Sequence, residues 1–463
     1  MSDSSVRSTD PSRPETVVVE VPAASADDVA KAAQAARAAQ RDWQATAPAA
    51  RSAALSEAAD AVAGASAELT DLMVREVGKP LGEASGEAAR AVAILRYYAQ
   101  QVLDPDGETY PAAGSTLLMA RRRPRGVAGL ITPWNFPFAI PLWKAAPALA
   151  HGNAVLLKPA PEATACALRL ADLLHQSLPA DLFAVVAGEA EAGQAVVAES
   201  DVLSFTGSVS AGSAVRKAAA DRGIPVQCEM GGQNASIVLP DVDVEATAAV
   251  VAGAAMGYAG QKCTATSRVL LVDDGGFADG FRDALVAAVE GLAVGEPSEQ
   301  GVSVGPVITA EARDAVLAAA REARDSGGRV LTGGSAPDRD GWFVAPTLVD
   351  GVEPGARVAQ EEVFGPFAAV LSVPDRDRAV EVANGVRYGL VSAVFTRDLG
   401  AALDVADRLD TGMVRVNAAT SGVDFYAPFG GEKESSYGPR EQGKAARDFY
   451  TSVRTVTIAG GTA

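Results

Sequence analysis

The chain has 463 residues, 48% of them hydrophobic and only 5% aromatic, and a net charge of −18. That length exceeds what one ordinary core serves, so two or three domains are expected. The acidic balance argues against a nucleic-acid partner, whose phosphates a binder neutralises with lysine and arginine.

Residues 1–16, MSDSSVRSTDPSRPET, are polar and mixed in charge, without the apolar run of a secretion signal. The longest apolar tract, 246–260, is broken by Thr247 and Tyr258 and falls short of the roughly 20 residues of a membrane helix. Three cysteines without paired spacing argue against a disulfide framework. Two histidines, His151 and His175, far from any Cys-x-x-Cys pattern, argue against a metal site. A cytoplasmic protein with no metal and no membrane contact is expected.

Ala23 to Val102 shows the apolar spacing of helices. GETYPAAGSTLLMARRRP then breaks that pattern with turn residues and a β-like run, and RRRPR (121–125) reads as a solvated strand in preference to a phosphate contact. From Gly126, strands alternate with helices: GVAGLIT, NAVLLKP, LFAVVAG, VLSFTGS and PVQCEMGG. A second series follows Gly232, with ASIVLP, RVLLVD, AAVLSV, VSAVFT and GMVRVN. Alternation of this kind implies parallel sheets covered on both faces, an α/β fold. The terminal YTSVRTVTIA reads as an edge strand in need of a partner.

Several short stretches carry chemistry, each beside a plainer reading. FTGSVSAG ends a strand and opens a helix, so Gly207 and Ser208 could meet a phosphate or simply make a tight turn. Lys158 closes a strand, where open α/β sheets present groups to ligands or to solvent. Asn135 in TPWNFPF could donate to an oxyanion or cap its own turn. Glu229 among Cys228, Met230 and two glycines would resist ionisation, as a general base near neutrality does, or would serve as a structural acceptor. QEEVFGPF offers Glu361 and Glu362 before a Gly-Pro turn. By composition Cys263, in YAGQKCTATSR, is no more special than Cys166 on an apolar helix face.

In chain order the stretches PWNFP, LLKP, FTGS, EMGG, GQKC, EEVFGP and PFGG resemble the aldehyde dehydrogenase superfamily from about Pro11 to the C-terminus. The resemblance implies a Rossmann-type cofactor domain over 1–107 and 125–231 and an α/β catalytic domain over 232–443. It also implies a β oligomerisation element from 108–124 and 444–463, in a homodimer or homotetramer. It implies that Cys263 attacks an aldehyde, that Asn135 and the Cys263 N–H hold the oxyanion, and that Glu229 activates the water that hydrolyses the thioester. Thr132, Trp134, Lys158, Gly207, Ser208, Glu362 and Phe364 would contact NAD or NADP. Lys144, Phe429 and Glu441 would line the substrate or proton path.

This sequence departs from the family pattern in three places. Pro161, with Glu162 next along, stands where an acidic residue often follows the strand-end lysine, so that NADP is expected to be tolerated or preferred. Gln233 replaces a usual lysine. The late start implies that the short N-terminal strands of relatives are missing. The flanks of Cys263 and Glu229, with SSYGPREQG, look most like the branch oxidising 2-oxoglutarate semialdehyde (2,5-dioxopentanoate). Succinate or glutamate semialdehyde, a phosphorylated aldehyde, and a catalytically silent homologue are the alternatives. Arg125 or another, unassigned basic residue is the candidate for holding an anionic substrate tail.

Overall fold

The computed structural model describes residues 5–273 and 275–459; the expectations placed on 1–4 and 460–463 lie outside the described residues. The first difference from expectation is at the start. β1 (Ser5–Asp10) and β2 (Arg13–Pro22) form an antiparallel hairpin, so the N-terminal strands are present. Asp10 closes the turn by accepting the Ser12 N–H at 2.8 Å, and the β-branched run Thr16 to Val19 suits an extended strand. Ser8 donates to the buried Glu76 carboxylate at 2.7 Å, which also takes the N–H groups of Ala165 and Cys166. Cys166 is thereby a core residue.

Four helices follow, α1 (Ala26–Ala45), α2 (Pro48–Gly64), α3 (Ser66–Val77) and α4 (Leu81–Gln101). Their buried faces are rich in alanine, as at Ala33 and Ala36 of α1, which lets backbones approach closely. β3 (Gly107–Tyr110) and β4 (Leu117–Pro124) come next. Then β5 (Val127–Thr132), α5 (Ala139–Ala150), β6 (Ala154–Pro159), α6 (Thr164–Leu174) and β7 (Phe183–Val185) alternate. The alternation continues with α7 (Ala190–Glu199), β8 (Val202–Thr206), α8 (Val209–Arg222) and β9 (Val226–Glu229).

The second series has β10 (Asn234–Val238), α9 (Val244–Met256), β11 (Thr266–Val272), β12 (Arg329–Thr332) and β13 (Thr347–Asp350). It ends with β14 (Phe367–Val373), β15 (Tyr388–Gly389), β16 (Val391–Phe395), β17 (Met413–Val416), β18 (Glu432–Lys433), β19 (Ser436–Tyr437) and β20 (Thr451–Ile458).

Two sheets organise the molecule. One has six strands in the order β19-β9-β8-β5-β6-β7, the other seven in the order β12-β13-β14-β11-β10-β16-β17. Each has its own hydrophobic core. In the first, β5 pairs with β6 on one side and β8 on the other, all parallel. The order reverses there, and ligands of open α/β sheets bind at the carboxyl ends beside such a reversal. β19 comes from the 232–443 segment and pairs antiparallel with β9, setting Ser436 opposite Glu229. β20 lies at the edge of a three-stranded sheet, β20-β4-β3, with Val453 and Ile458 exposed.

Candidate active site

Residues from the carboxyl ends of four parallel strands gather on one side of the six-stranded sheet: Thr132 of β5, Lys158 of β6, Gly207 and Ser208 after β8, and Glu229 of β9. Lys158 is buried and makes no hydrogen bond or ion pair among the described residues. Burial pushes its ammonium pKa down, against the charges of Glu162 and Glu189. The Thr132 hydroxyl is likewise buried without a partner. Orphaned groups of this kind are costly unless a ligand completes them. Ser208 caps α8, its hydroxyl accepting the Ala211 N–H at 3.3 Å, and the start of that helix favours an anion. These residues fit a nucleotide with a pyrophosphate.

Cys263 follows a strained turn. Tyr258, Ala259 and Gly260 have φ of 54°, 52° and 64°, left-handed values that are unfavourable for the first two. A Cβ on Gly260 would lie 2.1 Å from the Gly365 carbonyl oxygen, so only glycine fits there. The turn is held from several sides. The Tyr258 hydroxyl donates to the Val77 carbonyl at 3.2 Å, and the rings of Trp134 and Phe136 meet it edge-on. The buried Lys79 ammonium sits over both the Phe136 and Tyr258 rings and pairs with Glu87. Lys79 also donates to the Asn135 carbonyl at 2.6 Å. Asn234 grips the Cys263 carbonyl at 2.8 Å.

The Asn135 amide donates one N–H to the Gln261 carbonyl at 2.9 Å. Its other N–H remains for a ligand, and its Oδ1 is buried without a partner. Cys263 is half-buried and lines a cavity of about 360 Å³ with Phe136, Ile140, Trp143, Phe429 and one face of α4. Burial and the carboxylates of Glu362, Glu229 and Glu441 push its thiol up to about 12. At rest the sulfur therefore carries its proton.

Glu229 is buried, and its carboxyl pKa is raised well above the usual range by burial and by the nearby Glu441. The Ser436 hydroxyl donates to it at 2.5 Å. Glu441 is fixed by Trp143 Nε1 at 2.8 Å and by the Lys144 ammonium, which also reaches Ser204 at 2.7 Å. Phe429 and Glu441 exchange backbone hydrogen bonds of 2.8 Å, placing that network against the cavity wall. Glu362 accepts the Gly232 N–H at 3.2 Å and is pushed up to about 7 by burial. Phe364, at φ 52°, meets Trp134 edge-on at 5.8 Å.

Arg125 is a correction. Its Nε is committed to the Phe449 carbonyl at 2.7 Å, and it does not line the Cys263 cavity. The cations that do are Lys262, paired with Glu83 at 2.6 Å, and Arg90 of α4. Arg90 escaped sequence reasoning because an arginine on an alanine-rich helix reads as solvated; its spacing from Gly82 and Gly86 was the available signal. No cluster of three or more metal-ligating side chains occurs among the described residues.

A thiol just ahead of β11 in the seven-stranded sheet, an amide after β5 and a shielded carboxylate on β9 of the six-stranded sheet are groups suited to an enzyme that works on carbonyls. The chain belongs to the aldehyde dehydrogenase family, whose model matches residues 1–456. It is 39% identical over 442 residues to an alpha-ketoglutaric semialdehyde dehydrogenase of Bacillus subtilis, covering 94% of this chain and 90% of that one. It is also 39% identical to an alpha-ketoglutarate semialdehyde dehydrogenase of Haloferax volcanii, covering 97% and 94%. Among solved structures it is similar to an NAD-dependent aldehyde dehydrogenase of Sinorhizobium meliloti, with a TM-score of 0.95, 34% identity, and 100% and 93% coverage.

Proposed function

We propose that the protein oxidises 2-oxoglutarate semialdehyde to 2-oxoglutarate through a thioester on Cys263. The observation that carries this reading is the Cys263 thiol lining a cavity of about 360 Å³, together with the free N–H of Asn135 and the shielded Glu229. The sulfur bonds to the aldehyde carbon as its proton leaves, and Glu229, whose pKa is raised, is suited to receive that proton. The new oxyanion accepts from Asn135 Nδ2 and the Cys263 N–H. A bound nicotinamide dinucleotide supplies the acceptor for the carbon's hydride. Glu229 passes that proton on to solvent, then takes a proton from water as the water adds to the thioester, and returns it to the Cys263 sulfur as the sulfur departs.

Lys158, Thr132, Gly207 and Ser208 would hold the nucleotide's ribose and pyrophosphate, with Trp134, Glu362 and Phe364 at the nicotinamide end. The carboxylates of Glu162 and Glu189 near Lys158 favour NAD over NADP, since a carboxylate accepts from a ribose diol and repels a 2′-phosphate. The two 39%-identical relatives support the substrate. The reaction belongs in the cytoplasm, where thiols stay reduced, and no described helix is long and apolar enough to cross a membrane. The exposed β20 edge supports a homodimer or homotetramer.

A spectrophotometric panel of semialdehydes and simple aldehydes with NAD and NADP tests the reading. The expected result is the highest kcat/KM for 2-oxoglutarate semialdehyde with NAD. Equal rates with simple aliphatic aldehydes would overturn the substrate.

A further inference from the structure

The face of α4 that lines the Cys263 cavity carries Gly82, Glu83, Gly86, Glu87 and Arg90, spaced so that they stack on one side of the helix. Every charge on that face has a partner but one. Glu87 pairs with the buried Lys79 and accepts the N–H groups of Phe138 and Ala139 at 2.9 and 3.0 Å. Glu83 pairs with Lys262 at 2.6 Å. Arg90 makes no ion pair or hydrogen bond among the described residues; the carboxylate whose charge reaches it, Glu83, is already held by Lys262.

Space is left in front of Arg90. A Cβ built on Gly82 or Gly86 meets nothing within 4 Å, so the wall below the guanidinium is open. The remaining lining is largely apolar, with Phe136, Ile140, Trp143, Val423 and Phe429, and suits methylene groups. A carboxylate entering such a cavity loses hydration that a cation has to replace. A guanidinium does so with two parallel N–H donors.

We propose that Arg90 is a specificity-determining residue that holds the carboxylate at the far end of a short aldehyde substrate while the aldehyde reaches Cys263. This rests on the reading of Cys263 as the nucleophile. The cavity selects aldehydes with an anionic tail, and Arg90 disfavours cationic ones by like charge.

The test compares wild type, Arg90→Met and Arg90→Lys with 2-oxoglutarate semialdehyde, succinate semialdehyde and pentanal. In Arg90→Met the ratio of kcat/KM for the anionic substrates to that for pentanal falls about 10- to 100-fold, mainly through KM. Arg90→Lys recovers part of it. A ratio that stays at the wild-type value overturns the proposal.

A second readout needs no turnover: the rate at which iodoacetamide alkylates Cys263 in the presence of 2-oxoglutarate. Protection in wild type that is lost in Arg90→Met supports the site; protection absent from wild type, or equal in both, overturns it. If wild type oxidises no aldehyde yet 2-oxoglutarate protects through Arg90, the dehydrogenase reading fails and the carboxylate site stands. If aldehydes are oxidised and both readouts ignore Arg90, the reverse holds.

Discussion

Replacing Asn135 with alanine separates rate from stability in a way that the geometry makes quantitative. The amide spends one N–H on the Gln261 carbonyl at 2.9 Å, while its Oδ1 is buried with no partner. Removing it strands the Gln261 carbonyl at a cost of about 1–3 kcal/mol, but it also removes an orphaned oxygen penalised by a similar amount. The two terms oppose, so stability should change by no more than about 1–2 kcal/mol. Loss of an oxyanion donor instead lowers the rate of the chemical step roughly 10²- to 10³-fold. The assay is stopped-flow absorbance of reduced cofactor in single turnover, with thermal unfolding of the same samples. A rate within about tenfold of wild type would refute the oxyanion role. A large stability loss that accounts for the rate loss would refute the assignment of Oδ1 as an existing penalty.

Glu441→Gln removes a negative charge that raises the Glu229 pKa, so the rising limb of the pH–rate profile for thioester hydrolysis should move to lower pH. The sign follows because a base with a lowered pKa ionises earlier as pH climbs. Movement to higher pH would contradict the network. Lys144→Met leaves the buried Glu441 carboxylate without its cation, held only by the Trp143 and Ser204 donors, and should cost about 3–5 kcal/mol in denaturant unfolding. Gly260→Ala places a Cβ against the Gly365 carbonyl at a positive φ. It should abolish turnover and speed proteolysis near Cys263 while leaving cofactor binding, measured by fluorescence quenching, largely intact.

Legibility in the sequence varied with how each element is buried. β5, β6, β8 and β10 are buried on both faces, so continuous apolar runs such as AVLL betray them. β2 is mostly exposed or half-buried, and β12 and β13 have four residues each, too few for a period to register. Cys263 differs from Cys166 through what precedes it, three left-handed residues of which only Gly260 is visible in the sequence. Its prominence came from the ordered series of motifs instead. The role of Lys79 under the Asn135 loop depends on a contact across 56 positions, which no local pattern encodes.

The most direct test of the central claim is the mass of the trapped intermediate. Glu229→Gln protein is mixed with 2-oxoglutarate semialdehyde and NAD, quenched in acid, and digested for peptide mass spectrometry. The account predicts a burst of reduced cofactor followed by a stall, with an acyl group on the peptide that contains Cys263. Steady turnover at the wild-type rate, or an acyl group on Cys166 or Cys228 with Cys263 unmodified, would contradict it.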